Sequence, residues 1–299
     1  MVSDLRLALF QFAPVPGRLE ENLALVLQEM NSAEQRGARL LVTPEMGLTG
    51  WSLPERADRE RLAKEVETVA LPALTEAVGR TGVSVVVGGP FGEGNGAPAN
   101  AAIGLGPGGR RVVYRKIHLF GPERDWWAPG HRVEAPLEVG DVRVGLTICY
   151  DAEFPEVPRL ARLAGANLLA VLATNMTPYE RDQDLVFPTR ALENEVPVLL
   201  CNRVGTERGW SYFGRSLAAG ARGEILGQAG DGQELLVVDV SVPVGAADPD
   251  LSYLSRRRPE VYGGIARRHT GPREPGPGPR SMTATDTARS PIRGGVTRG

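Results

Sequence analysis

Three side chains with complementary chemistry each follow an apolar, strand-like run. They are Glu45 in LLVTPEMGLTGW, Lys116 in VVYRKIHLF and Cys149 in VRVGLTICYDAEFPE. A thiol must lose its proton to attack a carbonyl carbon, and a carboxylate is a base able to take it. The tetrahedral oxyanion that follows needs a positive donor, and an ammonium group is one. Glutamate, lysine and cysteine together therefore suffice for acyl transfer through a thioester, without histidine. Singly, each has an ordinary explanation: a packed core thiol, a solvated carboxylate, a lysine snorkelling from a strand end. Their shared placement is what points to a site, because strand ends in α/β layers fix geometry beneath variable loops.

The inventory of alternatives is short. Lys64 and Lys116 are the only lysines among 34 basic residues, the cysteines are Cys149 and Cys201, and the histidines are His118, His131 and His269. Cys201 lies inside the apolar run PVLLCN, the setting of a core residue. Two cysteines make no disulfide framework and lack the paired spacing of a zinc ribbon. A cysteine–histidine hydrolase, a different catalytic class, would need His118 or His131 as its base.

The elements that must position these residues alternate between β and α. Leu5–Phe12 reads as a strand; Leu23, Val26, Leu27, Met30 and Ala33 then fall on one helical face. Strands are expected at 38–44 and 83–88, with a helix over 59–80 between them. Residues 100–105 and 111–116 flank the turn-rich GPGG of 106–109 and form a hairpin rather than a phosphate loop, since a strand and not a helix follows the glycines. Further strands are expected at 142–150, 167–174 and 198–202, then a group ending at Val240, with helices over 155–163 and 183–195. Alternation with hairpins in the middle and at the end predicts an α/β fold with mixed sheets. No internal repeat is visible.

Composition narrows the function classes. Residues 256–299 carry +7, so the remainder carries −9 within the net charge of −2. An acidic body argues against nucleic-acid binding. No apolar run approaches the roughly 20 residues of a membrane helix, and the N-terminus does not read as a signal peptide. The expectation is a cytoplasmic protein without membrane attachment. Residues 269–299, rich in Pro, Gly and Arg, are expected to be a disordered tail. Asn175-Met176-Thr177 matches a glycosylation acceptor that a chain without a secretory signal has no occasion to use.

Three segments resemble one family: PEMGLTGW at 44–51, YRKIHLFGPERDWWAPG at 114–130 and GLTICYDAEFPEVPRLARLAGANLL at 145–169. In this order they are similar to the nitrilase-like carbon–nitrogen hydrolases over about residues 4–265. The resemblance implies a single α-β-β-α sandwich domain over 1–268, often paired into a homodimer or higher homo-oligomer, with no metal and no organic cofactor. It implies Cys149 as nucleophile, Glu45 as general base and Lys116 as oxyanion donor. Glu123 would position substrate and lysine, and the Tyr150 backbone N–H would be a second oxyanion donor. His118 is read as structural.

Within the family, LATNMTPYERD, RALENEVPVLLCNRVG and CYDAEFPE are most similar to bacterial amidases of the 5-aminopentanamidase-like branch, acting on ω-amino or amino-acid-derived carboxamides. The implied partner is a small carboxamide. Asn175 and Met176 are expected to line the pocket opposite Cys149, and Trp126 and Trp127 to wall it or to pack at a subunit interface. Glu153 and Asp151 would attract a cationic substrate, or pair with Arg159 or Arg162. An N-carbamoyl-amine hydrolase is the alternative activity, and a catalytically silent binding or scaffold subunit a further one. Cys149-Tyr150-Asp151 in place of Cys-Trp-Glu disfavours a nitrilase.

Overall fold

The computed structural model describes residues 1–92, 96–244 and 252–267. Residues 1–256 form one compact unit. In chain order it contains β1 (Val2–Gln11), α1 (Leu19–Gln35), β2 (Leu40–Val42), α2 (Arg56–Glu65), a π turn (Val66–Ala70), α3 (Leu71–Thr81), β3 (Ser84–Phe91), β4 (Ala99–Gly106) and β5 (Arg110–Arg115). There follow α4 (Glu123–Trp126), β6 (Leu137–Val139), β7 (Val142–Ile148), α5 (Glu156–Leu163), β8 (Leu168–Leu172) and α6 (Glu180–Asn194). The last strands are β9 (Val198–Cys201), β10 (Val204–Glu207), β11 (Trp210–Phe213), β12 (Leu217–Ala219), β13 (Ile225–Gln228) and β14 (Glu234–Pro243).

The strands form two six-stranded mixed sheets, β14-β1-β2-β3-β4-β5 and β13-β12-β9-β8-β7-β6, with β10 and β11 as a separate ribbon. The period of two along a strand sorts side chains between layers. In β1, Leu7 and Leu9 pack into the core shared with the second sheet, whereas Ala8 and Phe10 pack with Val26 and Met30 of α1 on the outside. Val157 and Ala161 of α5 and Phe187 and Ala191 of α6 cover the second sheet. The result is the α-β-β-α sandwich expected from the sequence.

Both sheets repeat one pairing pattern. Read as β14-β1-β2-β3-β4-β5 and as β6-β7-β8-β9-β12-β13, each runs antiparallel, parallel, parallel, antiparallel, antiparallel. The repeat invisible in sequence is thus present in topology. It sets Glu45, three residues beyond β2, and Asn175, three beyond β8, at corresponding strand ends.

The strand expected over 142–150 stops at Ile148. Cys149 adopts φ 45°, the left-handed region, and a 3-10 turn over Cys149–Glu153 replaces the rest. The hairpin turn at 107–109 is as the sequence predicts. No helix among the described residues is long and apolar enough to cross a membrane. From Arg257 the chain forms a second unit, whose described part holds a 3-10 turn, Pro259–Gly264. The tail expected over 269–299 lies outside the described residues, as does His269.

Candidate active site

Glu45, Lys116 and Glu123 meet in one charge cluster closed to solvent. The Lys116 Nζ lies 2.7 Å from Glu45 Oε1 and 2.7 Å from Glu123 Oε2, and all three residues are buried. The Asn100 amide donates to Glu45 Oε1 at 2.7 Å and to Glu123 Oε1 at 2.8 Å. The Thr174 hydroxyl donates to Glu45 Oε2 at 2.6 Å, the Trp51 indole to Glu123 Oε1 at 3.1 Å and the Phe120 N–H to Glu123 Oε2 at 2.8 Å. Every carboxylate oxygen therefore has a donor, the condition for keeping buried charge.

Local sequence explains this packing. The turn bearing Glu45 lies directly on β3, where a β-carbon at Gly88 would come within 2.5 Å of Met46 N and of Pro44 O. Only glycine admits so close an approach. Lys116 follows β5, and its segment is held from the other sheet by Asp151. That buried carboxylate accepts the Tyr114 hydroxyl at 2.7 Å, the Ile117 N–H at 3.1 Å and the His118 N–H at 2.7 Å, with the His118 Nδ1 at 2.9 Å. Asp151 thus ties the lysine segment to the cysteine turn, which corrects both the substrate contact and the pairing with Arg159 or Arg162 that the sequence left open, although its role is structural as in the second. His118 belongs to this tie, consistent with a structural role.

Cys149 stands at the end of β7 with its Sγ 3.3 Å from Asn175 Oδ1. Asn175 is held in turn, its N–H on Asn202 Oδ1 at 2.7 Å and its amide on Gln183 Oε1 at 2.9 Å. Burial and then the Glu45 charge push the thiol well above its ordinary pKa, against the pull of Lys116 and the Thr174 backbone. Burial alone would lower Lys116, but Glu123 and Glu45 outweigh it and hold the ammonium well above its usual value. Glu123 is raised by burial, with Lys116 opposing and Glu45 adding to the shift. The resting site therefore holds a neutral thiol beside a cationic lysine.

A cavity of about 150 Å³ opens on Cys149, small beside drug-sized pockets. Asn175 and Met176 line it, with Tyr150, Phe120, Thr174 and Gln183. Glu153 and Asp182 also line it, and neither carboxylate forms an ion pair among the described residues. Trp126 and Trp127 are not part of the lining. Trp126 packs edge-on against Trp51 at 5.5 Å, and Trp127 lies in the outer core under the Arg59 guanidinium at 5.8 Å. Among the described residues no group of His, Cys, Asp and Glu is placed to hold a metal ion.

Residues 6–248 match the family described as carbon-nitrogen hydrolase. The chain belongs to that family. A nitrilase of Pyrococcus abyssi is 33% identical over 254 residues, covering 85% of this chain and 92% of the relative. An (R)-stereoselective amidase of a Pseudomonas species is 33% identical, covering 90% and 97%. The amidase of Nesterenkonia sp. AN1 has a similar structure, with a TM-score of 0.78, 30% identity and coverage of 87% of this chain and 99% of that one. One mutant of that amidase shows covalent addition of the acetamide moiety of fluoroacetamide at its active site cysteine; it is 31% identical with a TM-score of 0.77, covering 86% and 95%. This carbon–nitrogen hydrolase accordingly acts on non-peptide carbon–nitrogen bonds and has the fold of the nitrilase-superfamily amidases.

Sequence reasoning missed Asn100, Thr174, Trp51, Gln183 and Asp182. Asn100 had left a signal, as the one polar side chain in the otherwise small and apolar ANAAIGLG of β4.

Proposed function

We propose that this hydrolase is a cysteine-dependent amidase that converts a small carboxamide bearing a cationic amine into the carboxylic acid and ammonia. The observation carrying this reading is the buried Lys116 ammonium between two carboxylates, with the Cys149 thiol in electrostatic reach of it and of Glu45 beside a small cavity. Glu45 takes the thiol proton as sulfur bonds to the carboxamide carbon, and the carbonyl π electrons move to oxygen. Lys116 and the Tyr150 N–H stabilise that oxyanion. As the oxyanion collapses, the carbon–nitrogen bond breaks and Glu45 returns its proton to the nitrogen, which leaves as ammonia. Water then gives one proton to Glu45 and attacks the thioester; the thiolate leaves and recovers the proton. Glu123 and Asn100 hold Lys116 and Glu45 in place.

Intact-mass measurement tests the reaction directly. With a library of small amides, Cys149 is expected to gain an acyl group, more persistently in Glu45→Gln, with ammonia released in step with acid by the unsubstituted enzyme. Carbon dioxide released together with ammonia would mark an N-carbamoyl-amine hydrolase instead. Absence of both adduct and turnover across amides, nitriles and carbamoyl compounds would leave a silent scaffold.

The amine preference is supported by Glu153 and Asp182 on the cavity. Burial and then the Asp182 charge push Glu153 up, with Lys116 and Arg190 opposing. A substrate ammonium would relieve that repulsion. The double substitution Glu153→Gln, Asp182→Asn should raise KM for an ω-amino carboxamide about 10-fold, the worth of two partly exposed charge contacts. A neutral aliphatic amide of equal length should show no such change. Equal effects on both amides would remove the amine from the proposal.

A further inference from the structure

Gln183 of α6 lines the cavity at Cys149, and a chain of hydrogen bonds with a fixed direction runs from it to the sulfur. The Gln183 Nε2 donates to the Arg215 carbonyl at 2.8 Å. A carbonyl can only accept, so the Gln183 amide is locked with its nitrogen at that end and its oxygen at the other. That oxygen accepts from Asn175 Nδ2 at 2.9 Å. Asn175 must then present its own oxygen on the opposite side, where Oδ1 accepts the Cys149 thiol at 3.3 Å. The anchor is itself held: the Arg215 N–H donates to Gly230 O at 3.0 Å, and its guanidinium pairs with Asp184, the residue after Gln183, at 2.9 Å. Both amides are buried.

The direction matters because the two ends of an amide treat sulfur in opposite ways. The oxygen holds an S–H proton and repels a thiolate, whereas the NH2 group would donate to a thiolate and stabilise it. A thiol has a single proton. While that proton points at Asn175 it is not shared with Glu45, whose oxygens take the Lys116, Asn100 and Thr174 donors. The charged groups around the sulfur are Glu45 beyond β2, Lys116 beyond β5, Glu153 on the same 3-10 turn and Asp182 beside Gln183. Of these, Lys116 alone favours a thiolate, and the thiol lies well above its ordinary pKa.

We propose that Gln183 is a positioning residue acting through Asn175: it keeps the Asn175 oxygen on Sγ and so holds the resting nucleophile as a thiol, its proton turned from Glu45. No bond forms or breaks in this role. It guards the empty site, because a thiol resists the alkylating and oxidising agents that attack a thiolate. The assignment rests on Cys149 as the nucleophile of the amidase reading, yet it is measured without amide turnover.

The experiment follows, by intact mass across a range of pH, the rate at which Cys149 reacts with methyl methanethiosulfonate. The thiolate sulfur takes the methylthio group as a mixed disulfide, and methanesulfinate leaves. Gln183→Leu frees the Asn175 amide to turn and leaves all four charges in place. Labelling near neutral pH is expected to rise about 10-fold, the effect of exchanging a carbonyl for an N–H donor at a thiolate. The rate should also level off about one pH unit lower, whereas a merely wider cavity would raise the curve without moving its plateau. In an Asn175→Ala background, Gln183→Leu should add nothing, since its route to the sulfur is gone. An unmoved curve, or an equal gain in that background, would overturn the assignment. Should Gln183→Leu not fold, Gln183→Met keeps the side-chain length and is read in the same way. Amide turnover with an unmoved curve overturns this assignment alone. A moved curve in an enzyme that forms no acyl adduct and releases no ammonia supports it and overturns the amidase reading.

Discussion

Cys149→Ala will abolish amide turnover, with a loss of about 10⁵-fold or more in kcat, comparable to removal of a nucleophile from other acyl-transfer sites. The fold should survive, because the change removes only a sulfur atom whose hydrogen bonds, such as that to Asn175, are weak. Cys201→Ala is the matching control. Its thiol is fully buried in β9, directed at the Phe10 carbonyl at 3.4 Å, and burial pushes it far from ionisation. Its loss should cost about 1 kcal/mol of stability through the cavity left behind, and leave kcat within twofold. Circular dichroism melts beside ammonia assays separate the two outcomes. Comparable turnover in Cys149→Ala would remove the thioester from the mechanism.

Lys116→Met is expected to fail in two ways at once. The oxyanion loses its cationic donor, which by itself costs about 10²–10³-fold in kcat. Glu45 and Glu123 lose the charge that allows both to stay buried, and breaking a buried pair in this way costs about 3–5 kcal/mol. The pH dependence of that loss has a definite sign. Glu123 already binds its proton more tightly in the folded state than an ordinary glutamate, and without Lys116 it does so more strongly. The folded variant therefore holds more protons than the unfolded chain above the ordinary glutamate range, so its stability falls as pH rises. The deficit against the unsubstituted protein should be larger at pH 8 than at pH 5, measured by urea unfolding. Lys116→Arg should not rescue activity, because a planar guanidinium cannot place one compact charge 2.7 Å from both carboxylates.

Glu45, Lys116 and Cys149 were legible as candidates because each stands at the end of a run whose apolar character alone predicts a buried strand. Glu123 and the fold came from the resemblance, and the strand order agrees with both. What escaped is set by long-range geometry. Asn100 and Thr174 lie 55 and 129 residues from Glu45, and no local pattern links them to it. Asp151 was open between a substrate contact and a structural pair with Arg159 or Arg162; its oxygens are taken by the chain around Tyr114 and His118, which no local pattern links to it. Trp126 was open between the pocket wall and a subunit interface, and its edge contact with Trp51, 75 positions earlier, follows no local pattern. The ribbon of β10 and β11 left a usable trace: Arg208-Gly209 between two short β-rich runs, with φ 47° and 87° in the structure, is a hairpin turn of the kind that suits twisted strands.

The pairing of β1 with β14 has a bearing on how the chain is made. Ten residues of the first strand lie in register with ten of the last, and Arg6 bonds Asp239 across 233 positions. During synthesis at about 5–20 residues per second, β1 waits roughly 10–50 s for its neighbour to leave the ribosome. Until then one side of an apolar strand is an open edge, able to pair with any other nascent chain. Overexpression yield should thus depend on translation rate and chaperone supply more than on the stability of the finished protein.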